Sequence, residues 1–257
     1  MPSFVVNALK TALLEVQDYL KLLGQIARGL TSRPIYFRDI VEQFESIGLG
    51  SLTVVLLTGT FTGMVLALQS GITLDQFGAR SMVGRLVSAS MVKELGPVLT
   101  ALMVTGRVGS GIAAELGSMM VTDQISALRA LGTDPVRKLV VPRVLAGIIM
   151  VPVLTIVADA VGMVGAWLIT TTQLKVAGSV FWNSVVVGLY IQDVWMGIIK
   201  PFFLGFALVT IACHVGLRAT GGTQGVGRAT TNAVVGGSVA VLIMDFLVTK
   251  LLISLMY

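Results

Sequence analysis

Hydrophobic residues come in five long runs along the chain, separated by shorter polar segments. The runs cover residues 47–74, 85–116, 144–174, 194–217 and 231–255. Each is long enough to cross a bilayer as a helix, which takes roughly 20 apolar residues. The pattern therefore predicts an all-α integral membrane protein with five transmembrane helices, here called spans one to five.

The segment before span one has an amphipathic pattern instead. Its apolar side chains recur at helical spacing, with most charges on the other face: Val5, Leu9, Leu13, Val16, Leu20 and Leu23. Such a helix lies in the plane of the membrane interface. Gly29 and the Arg33-Pro34 step are expected to end it. A second, more polar helix over residues 36–47 should lead into span one.

Composition supports a membrane protein. The chain has 257 residues, of which 55% are hydrophobic and 12% charged, whereas soluble domains carry about 25% charged residues. The one cysteine, Cys213, excludes a disulfide framework or a thiol metal site within one chain. We expect a single domain over residues 1–257, with interfacial helices over 1–46 and the membrane part over 47–257.

Lysine and arginine are distributed unevenly between the connecting segments. They collect before span one, after span two and after span four: Lys10, Lys21, Arg28, Arg33 and Arg38; Arg129, Arg137, Lys138 and Arg143; Arg218 and Arg228. Positive residues favour the cytoplasmic side of a membrane. The N-terminus is therefore expected in the cytoplasm and the C-terminus on the opposite side. Lys250, near the C-terminus, is the exception and can snorkel.

Ionisable residues inside the spans are candidates for function. At 1.5 Å per residue, they fall in one layer, in the half of the membrane away from the cytoplasm: Lys93, Glu94, Asp159, Lys200 and Asp245. They could be structural ion pairs or could line a polar cavity, and both interpretations stay open for Asp159 and Asp245. For Glu94 and Lys200, which flank the helix kinks expected at Pro97 and Pro201, we favour the cavity and expect a contact between them.

Three further features are interpreted as structural. Gly59 and Gly63 could mediate packing within the chain or, less favoured, a homodimer seam. Arg107 and Glu115 fall near one helix face and are expected to form an interface anchor or a local ion pair. The glycines of residues 222–227 have phosphate-loop spacing, but Arg228-Ala229 replaces the Lys and Ser/Thr, so we predict a flexible cytoplasmic loop.

The segment between spans two and three predicts a short surface helix, here called the elbow. Asp123 is expected to cap its N-terminus and Gly132 its C-terminus. Asp134-Pro135 should then form a turn, and Pro142 should begin span three. The apolar stripe of the elbow is expected to have no partner within the chain: Ile125, Leu128 and Leu131. Such a helix is suited to docking a cytoplasmic partner.

The region around the elbow resembles a known family. The residues that carry the resemblance are Lys93-Glu94-Leu-Gly-Pro-Val, Gly106-Arg107-Val-Gly-Ser-Gly, Ala114-Glu115-Leu-Gly, Asp123-Gln124-Ile, Leu131-Gly-Thr-Asp-Pro135, Pro142-Arg143 and Arg228-Ala-Thr-Thr. Together they are similar to the MlaE permeases, the membrane subunits of MCE-type phospholipid ABC transporters. Many relatives have Arg-Glu where this chain has Lys93-Glu94, a difference that keeps the charge.

The resemblance implies a homodimer in the bacterial inner membrane that moves phospholipid and maintains outer-membrane lipid asymmetry, with retrograde transport favoured. It implies a cytoplasmic ABC ATPase (MlaF-like) that binds ATP and Mg²⁺, a periplasmic MCE-domain hexamer (MlaD-like) and a STAS-domain protein (MlaB-like). The permease itself would hold no cofactor or metal and would not be an enzyme.

The resemblance also implies two sets of functional residues. The lipid site is expected at Leu66, Gln69, Thr73, Leu74, Phe77, Lys93, Glu94 and Lys200. The ATPase-coupling residues are expected to be Asp123, Gln124, Ile125, Leu128, Arg129, Leu131, Gly132, Asp134 and Pro135. Alternatives are MCE-type uptake or export of a sterol or another lipid, a lipid-modifying membrane enzyme, and a scaffold. The dispersed acidic residues argue against an enzyme, and the buried charges argue against a scaffold.

Overall fold

The computed structural model describes residues 2–31 and 36–256, with side chains described at residues 10, 13–30 and 36–256. No described residue lies in a strand, so the all-α prediction is confirmed. The helices are α1 (Pro2–Thr31), α2 (Phe37–Asp75), α3 (Arg80–Val121), α4 (Gln124–Ala130), α5 (Val136–Thr172), α6 (Gly178–Gly188), α7 (Ile191–Gly216) and α8 (Gly222–Met256). Five of these, α2, α3, α5, α7 and α8, are long and apolar enough to cross a membrane. They are spans one to five, and α4 is the elbow.

The spans start earlier than the hydrophobic runs. The polar helix predicted over residues 36–47 is continuous with span one through a π turn at Glu45–Leu49.

Span two contains π turns at Met91–Leu95 and Thr105–Gly109. The first of these immediately precedes Gly96 and Pro97, where the sequence predicts a disturbed helix. A π turn absorbs such a disturbance while most backbone groups stay hydrogen-bonded, as a lipid environment requires.

Two predicted boundaries of the spans are wrong. Pro142 does not begin span three: the helix already starts at Val136, because a carboxylate oxygen of Asp134 accepts a hydrogen bond from the Val136 N–H at 2.9 Å. The predicted loop at residues 222–227 forms the first turns of α8. The chain reverses its direction between α7 and α8 at Gly221 and Gly222, which take positive φ angles of 89° and 67°.

The segment between spans three and four contains a helix of its own. Residues 175–193 separate the third and fourth hydrophobic runs, and helix α6 lies within them. Its Phe181 is fully buried, and Trp182 packs edge-on against that ring at 5.5 Å between centroids. A short apolar helix without charged residues gives little sequence signal because it cannot span a membrane by itself.

Span one packs closely against span three. A Cβ at Gly59 would lie 2.8 Å from the carbonyl oxygen of Ala158, and one at Gly63 would lie 1.9 Å from that of Gly162. Only glycine permits this approach of the two backbones. The interpretation of Gly59 and Gly63 as packing within the chain is therefore confirmed, and these glycines cannot form a homodimer seam.

Helix α1 lies against the elbow end of the bundle. Its Leu22 and Ile26 are buried, and the Tyr19 hydroxyl lies 2.8 Å from the hydroxyl of Thr210. Burial raises the pKa of Tyr19, and a hydrogen bond from Lys21 lowers the pKa of Asp18. The opposite face remains exposed at Leu13, Val16 and Leu20.

That exposed face is the stripe predicted to lie in the membrane interface, and Leu23 packs at its edge against the core. The side chains of Val5 and Leu9 and the Arg33-Pro34 step lie outside the described residues. Gly29 does not end the helix, which continues to Thr31.

Candidate functional site

Lys200 is the centre of an ion cluster inside the membrane part. Its side chain is fully buried, and its ammonium lies 2.6 Å from a Glu94 carboxylate oxygen and 2.9 Å from one of Asp245. It also donates a hydrogen bond of 2.9 Å to the Lys93 carbonyl. The predicted Glu94–Lys200 contact is confirmed. Lys200, Glu94 and Asp245, here called the lysine cluster, join spans two, four and five.

The contacts of the two carboxylates differ in kind. The Glu94 contact has hydrogen-bond geometry. The contact between the Lys200 ammonium and the Asp245 oxygen, at 2.9 Å, lacks hydrogen-bond geometry. Asp245 is still an ion-pair partner of Lys200, because Coulomb attraction depends on distance. The Glu94 side chain is 44% exposed and that of Asp245 only 16%. Glu94 is therefore the member of the cluster that an outside molecule can reach.

Lys93 and its neighbour Glu94 contact different partners, because adjacent residues of a helix point in different directions. Its ammonium lies 2.9 Å from a carboxylate oxygen of Asp193. The other oxygen of Asp193 accepts from the Tyr190 N–H at 3.2 Å, in a capping box that begins span four. Asp193 was not among the predicted site residues, because Tyr-x-x-Asp lacks the residue types that signal a capping box in a sequence.

Asp159 lies in the same layer but outside the lysine cluster. It is close to the backbone of Gly96, where an added Cβ would lie 1.9 Å from its carboxylate. One of its oxygens is buried without a hydrogen-bond partner among the described residues. The contact with Gly96 thus confirms that Asp159 shares the layer, and Asp159 forms no ion pair with any residue that the structure describes.

Two grooves flank this layer at the end of span two opposite the elbow. The first, here called the Leu66 groove, has a volume of about 370 Å³. It is lined by Phe61, Thr62, Val65, Leu66, Gln69 and Leu95. Leu95 directly follows Glu94 in span two, so one wall residue of this apolar groove is the chain neighbour of the reachable member of the lysine cluster.

The second groove, here called the Arg85 groove, has a volume of about 430 Å³. It is lined by Leu74, Met82, Arg85, Leu86, Ala89, Lys93, Gly188, Tyr190 and Asp193. The sequence analysis did not single out Arg85. A lone arginine at the start of a hydrophobic run is an ordinary interface residue, and only α6 turns its surroundings into a groove.

The structure divides the predicted lipid residues between these places. Leu66 and Gln69 line the Leu66 groove, whereas Leu74 and Lys93 line the Arg85 groove. Thr73 and Phe77 are exposed and line neither; the Thr73 hydroxyl donates to the Gln69 carbonyl at 3.1 Å. Lys200 is buried behind Glu94 and reaches neither groove directly.

At the elbow end, Arg107 and Glu115 were expected to form an interface anchor or a local ion pair, and they do not pair with each other. Arg107 donates to the carbonyl of Ser46 and the hydroxyl of Ser51, both at 3.1 Å. Glu115 lies 2.6 Å from the buried Arg143. The turn of the helix lets each side chain meet a different neighbouring span. Spans two and three are thus joined at this end by a second buried cation.

The elbow forms as predicted, with two corrections. Asp123 occupies the N-cap position, but it has a φ of 58° and makes no capping hydrogen bond. Gly132 does end the helix: it has a φ of 75° and donates to the Arg129 carbonyl, while Thr133 donates to that of Leu128. This hydrogen-bond pair is a Schellman motif.

The second correction concerns the apolar stripe of the elbow, which was expected to have no partner in the chain. Ile125 is buried in the main core and Leu128 packs against it. Leu131 is 80% exposed. The first two residues anchor the elbow because the helix lies on the end of the bundle. The outward face consists instead of Gln124, Ser126, Ala127, Arg129, Ala130 and Leu131.

Known proteins are similar in sequence to this chain over most of its length. Residues 40–251 match the family Permease MlaE. The chain belongs to the MlaE permease family. The match includes nearly all of span one, spans two to four, the elbow and most of span five, and therefore both grooves and the lysine cluster.

Individual relatives agree with this assignment. A probable ABC transporter permease protein of Rickettsia bellii is 44% identical over 218 residues, covering 85% of this chain and 84% of the relative. The intermembrane phospholipid transport system permease protein MlaE of Haemophilus influenzae is 36% identical, covering 96% and 98%. The chloroplastic protein trigalactosyldiacylglycerol 1 of Arabidopsis thaliana is 35% identical, covering 89% and 65%. As a family member, the chain is the membrane subunit of a transporter and not an enzyme.

Proposed function

We propose that this MlaE-family permease moves phospholipid between the inner membrane and the periplasmic side of an envelope. The observation that carries the proposal is the position of Glu94. Its carboxylate is held by a buried lysine and remains partly exposed beside Leu95, which lines an apolar groove. A phospholipid needs such an arrangement, with a charged contact for the headgroup next to an apolar surface for the acyl chains.

The charges of the lysine cluster favour direct participation of Glu94. One ammonium faces two carboxylates, so Lys200 retains Asp245 when Glu94 turns toward a ligand. A carboxylate accepts strong hydrogen bonds from the ammonium or hydroxyl groups of a lipid headgroup. Lys200 then acts as the positioning residue that keeps Glu94 at the groove.

The outward face of span one supplies the proposed acyl-chain contacts. Leu66 and Gln69 lie in the groove, with Thr73, Leu74 and Phe77 further along toward the end of the helix. Phe61 and Val65 are also exposed there. We propose a homodimer in which two such faces enclose the lipid, because this apolar surface is open on a single copy.

The elbow is the proposed docking site for a cytoplasmic ABC ATPase, which would hold ATP and Mg²⁺. Gln124, Arg129 and Leu131 are exposed and available to a partner. Asp123, Ile125, Leu128, Gly132, Asp134 and Pro135 shape the elbow and fix it to the bundle. Span two runs without interruption from Arg80 to Val121, so it could link the ATPase state to the lipid site.

The remaining partners and the orientation follow the same proposal. The elbow end faces the cytoplasm together with the N-terminus, and the groove end faces the periplasm with the C-terminus. An MCE-domain hexamer would cover the groove end, and a STAS-domain protein would bind the ATPase. The uneven distribution of lysine and arginine supports this orientation.

The proposal is tested by transfer of fluorescent lipids between liposomes. The permease is reconstituted with its ATPase and MCE partners, and ATP-dependent transfer of a phospholipid is compared with that of a sterol. We expect transfer of the phospholipid, and at least tenfold slower transfer by Glu94→Lys in complexes of unchanged composition, because that variant places two ammonium groups together. Transfer of the sterol alone, or full activity of Glu94→Lys, would overturn the proposal.

A further inference from the structure

Arg85 is held with its guanidinium at the mouth of the Arg85 groove. Its backbone N–H donates to the Ser184 hydroxyl at 2.9 Å, and its guanidinium lies 3.4 Å from the Tyr190 hydroxyl. Gly188 approaches its stem so closely that an added Cβ would lie 2.3 Å from the Arg85 Cγ. Helix α6 and the start of span four therefore fix the direction of this side chain.

The described residues that line this groove include more cations than carboxylates. Asp193 is the acidic residue that lines it, and both of its oxygens are engaged, one by Lys93 and one by the Tyr190 N–H. Arg85 has no ion pair among the described residues. Arg80, on the preceding turn, is paired with Asp75. The groove thus has two cations and one carboxylate, a net charge of +1.

The other wall of the groove is apolar. Leu74, Met82, Leu86 and Ala89 line it, and Met82 and Leu86 are exposed. A volume of about 430 Å³ lies in the range of small-molecule sites. Free phosphate would use the cations but not this wall, whereas a phospholipid would use both.

We propose that the Arg85 groove binds the phosphate of a phospholipid headgroup, with Arg85 as the anion contact and the Leu74–Met82–Leu86 wall against the start of an acyl chain. A guanidinium suits this task because it presents paired N–H donors to phosphate oxygens. Lys93 lines this groove and Leu95 lines the Leu66 groove, so the chain neighbours of Glu94 lie in two different grooves and the Arg85 groove is a second lipid position. The inference rests on the proposed function and adds a separate headgroup site to it.

Site-specific photo-crosslinking tests the inference in the assembled complex. A photoreactive amino acid replaces Met82 in the Arg85 groove, Leu66 in the other groove, or the exposed Phe246 on span five as a reporter of bulk lipid. Labelling by radioactive phospholipid is measured with Arg85, Arg85→Gln or Arg85→Lys. The matched control is Arg80→Gln, which removes a nearby arginine that is already paired.

We expect Arg85→Gln to reduce labelling at position 82 roughly tenfold, the scale of a lost charge-assisted hydrogen bond. Arg85→Lys should restore part of it, and Arg80→Gln should change nothing. Labelling at position 246 should stay constant in all variants. Unchanged labelling at position 82 in Arg85→Gln would overturn the inference.

Two further arms of the experiment distinguish a second lipid position from a free-phosphate site and from a single lipid site. Excess inorganic phosphate should leave the labelling at position 82 intact, and its loss would assign the groove to free phosphate instead. Labelling at position 66 without Arg85-dependent labelling at position 82 would overturn the second site and leave the proposed function standing. If labelling at positions 66 and 82 does not exceed the labelling at position 246, the result would contradict the proposed function itself.

Discussion

Span two has a half-exposed glutamate near each end, and each glutamate is paired with a buried cation from another span. The Glu94–Lys200 and Glu115–Arg143 distances are both 2.6 Å, and the glutamate side chains are 44% and 53% exposed. The difference lies in what else each cation contacts. Lys200 has a second carboxylate, Asp245. Arg143 has the backbone carbonyl of Leu139, and its Nε is buried without a partner among the described residues.

This difference assigns different roles to two similar ion pairs. Glu115 is the one carboxylate paired with Arg143 among the described residues, so it is required for structure at the elbow end. Glu94 is one of two carboxylates at Lys200, so it can exchange its partner for a ligand. A surplus carboxylate beside an apolar groove is what the proposed lipid site needs.

The largest expected effect is that of Lys200→Met. It removes the buried cation and leaves Asp245 without a countercharge, and a broken buried pair costs about 3 kcal/mol or more. The free energy of unfolding of the permease in detergent measures the loss. Lys250→Met, which replaces an exposed lysine of span five, is the control and should change it little.

Adding Asp245→Asn to Lys200→Met should recover part of that loss, because it removes the uncompensated charge. If the double variant is no more stable than Lys200→Met alone, the lysine cluster is not held together by charge.

Glu115→Gln is expected to have the next largest effect, a loss of about 2 kcal/mol, because it leaves a buried guanidinium without a carboxylate. The control is Glu42→Gln, which disrupts an exposed pair with Arg38 and should cost at most about 0.5 kcal/mol. Equal losses in the two variants would show that the burial of Arg143 does not matter.

Glu94→Gln should cost less than Glu115→Gln, about 1 kcal/mol or below, since Lys200 keeps Asp245 and a neutral amide can still accept its hydrogen bond. The measurement is the same unfolding experiment. A larger loss for Glu94→Gln than for Glu115→Gln would reverse the roles given to the two ends.

Leu131→Asp should have the smallest effect on stability, because this side chain is 80% exposed. It should nevertheless release the ATPase, which co-purification measures. Leu128→Asp is the matched comparison: it should destabilise the permease itself, because Leu128 packs against the core. ATPase retained by Leu131→Asp would place the docking surface elsewhere.

The sequence predicted the spans because lipid imposes long apolar helices, and it predicted the Glu94–Lys200 contact because buried charges must pair. Predictions from the sequence were wrong where packing between helices determines the partner or the burial of a side chain. Arg107 and Glu115 share a helix face but meet different neighbours. Ile125 was predicted to have no partner within the chain, but it is buried because the elbow packs onto the bundle.

The same limitation applies to the residues that were missed. Arg85 gains its importance from α6, a helix that hydropathy does not reveal. Asp193 of span four pairs with Lys93 of span two, and a single sequence does not reveal which residues of two spans lie close together. The start of span three at Val136 depends on a single side-chain hydrogen bond, which Asp134 accepts.

The most direct test of the central claim is the amount of phospholipid that co-purifies with the permease, measured by mass spectrometry for Glu94→Gln and Glu115→Gln. Both variants neutralise a half-exposed glutamate paired with a buried cation. We predict that Glu94→Gln loses most of the bound phospholipid while remaining the more stable protein, and that Glu115→Gln retains it. Equal retention in both variants, or loss in Glu115→Gln alone, would contradict the assignment of the lipid site to Glu94.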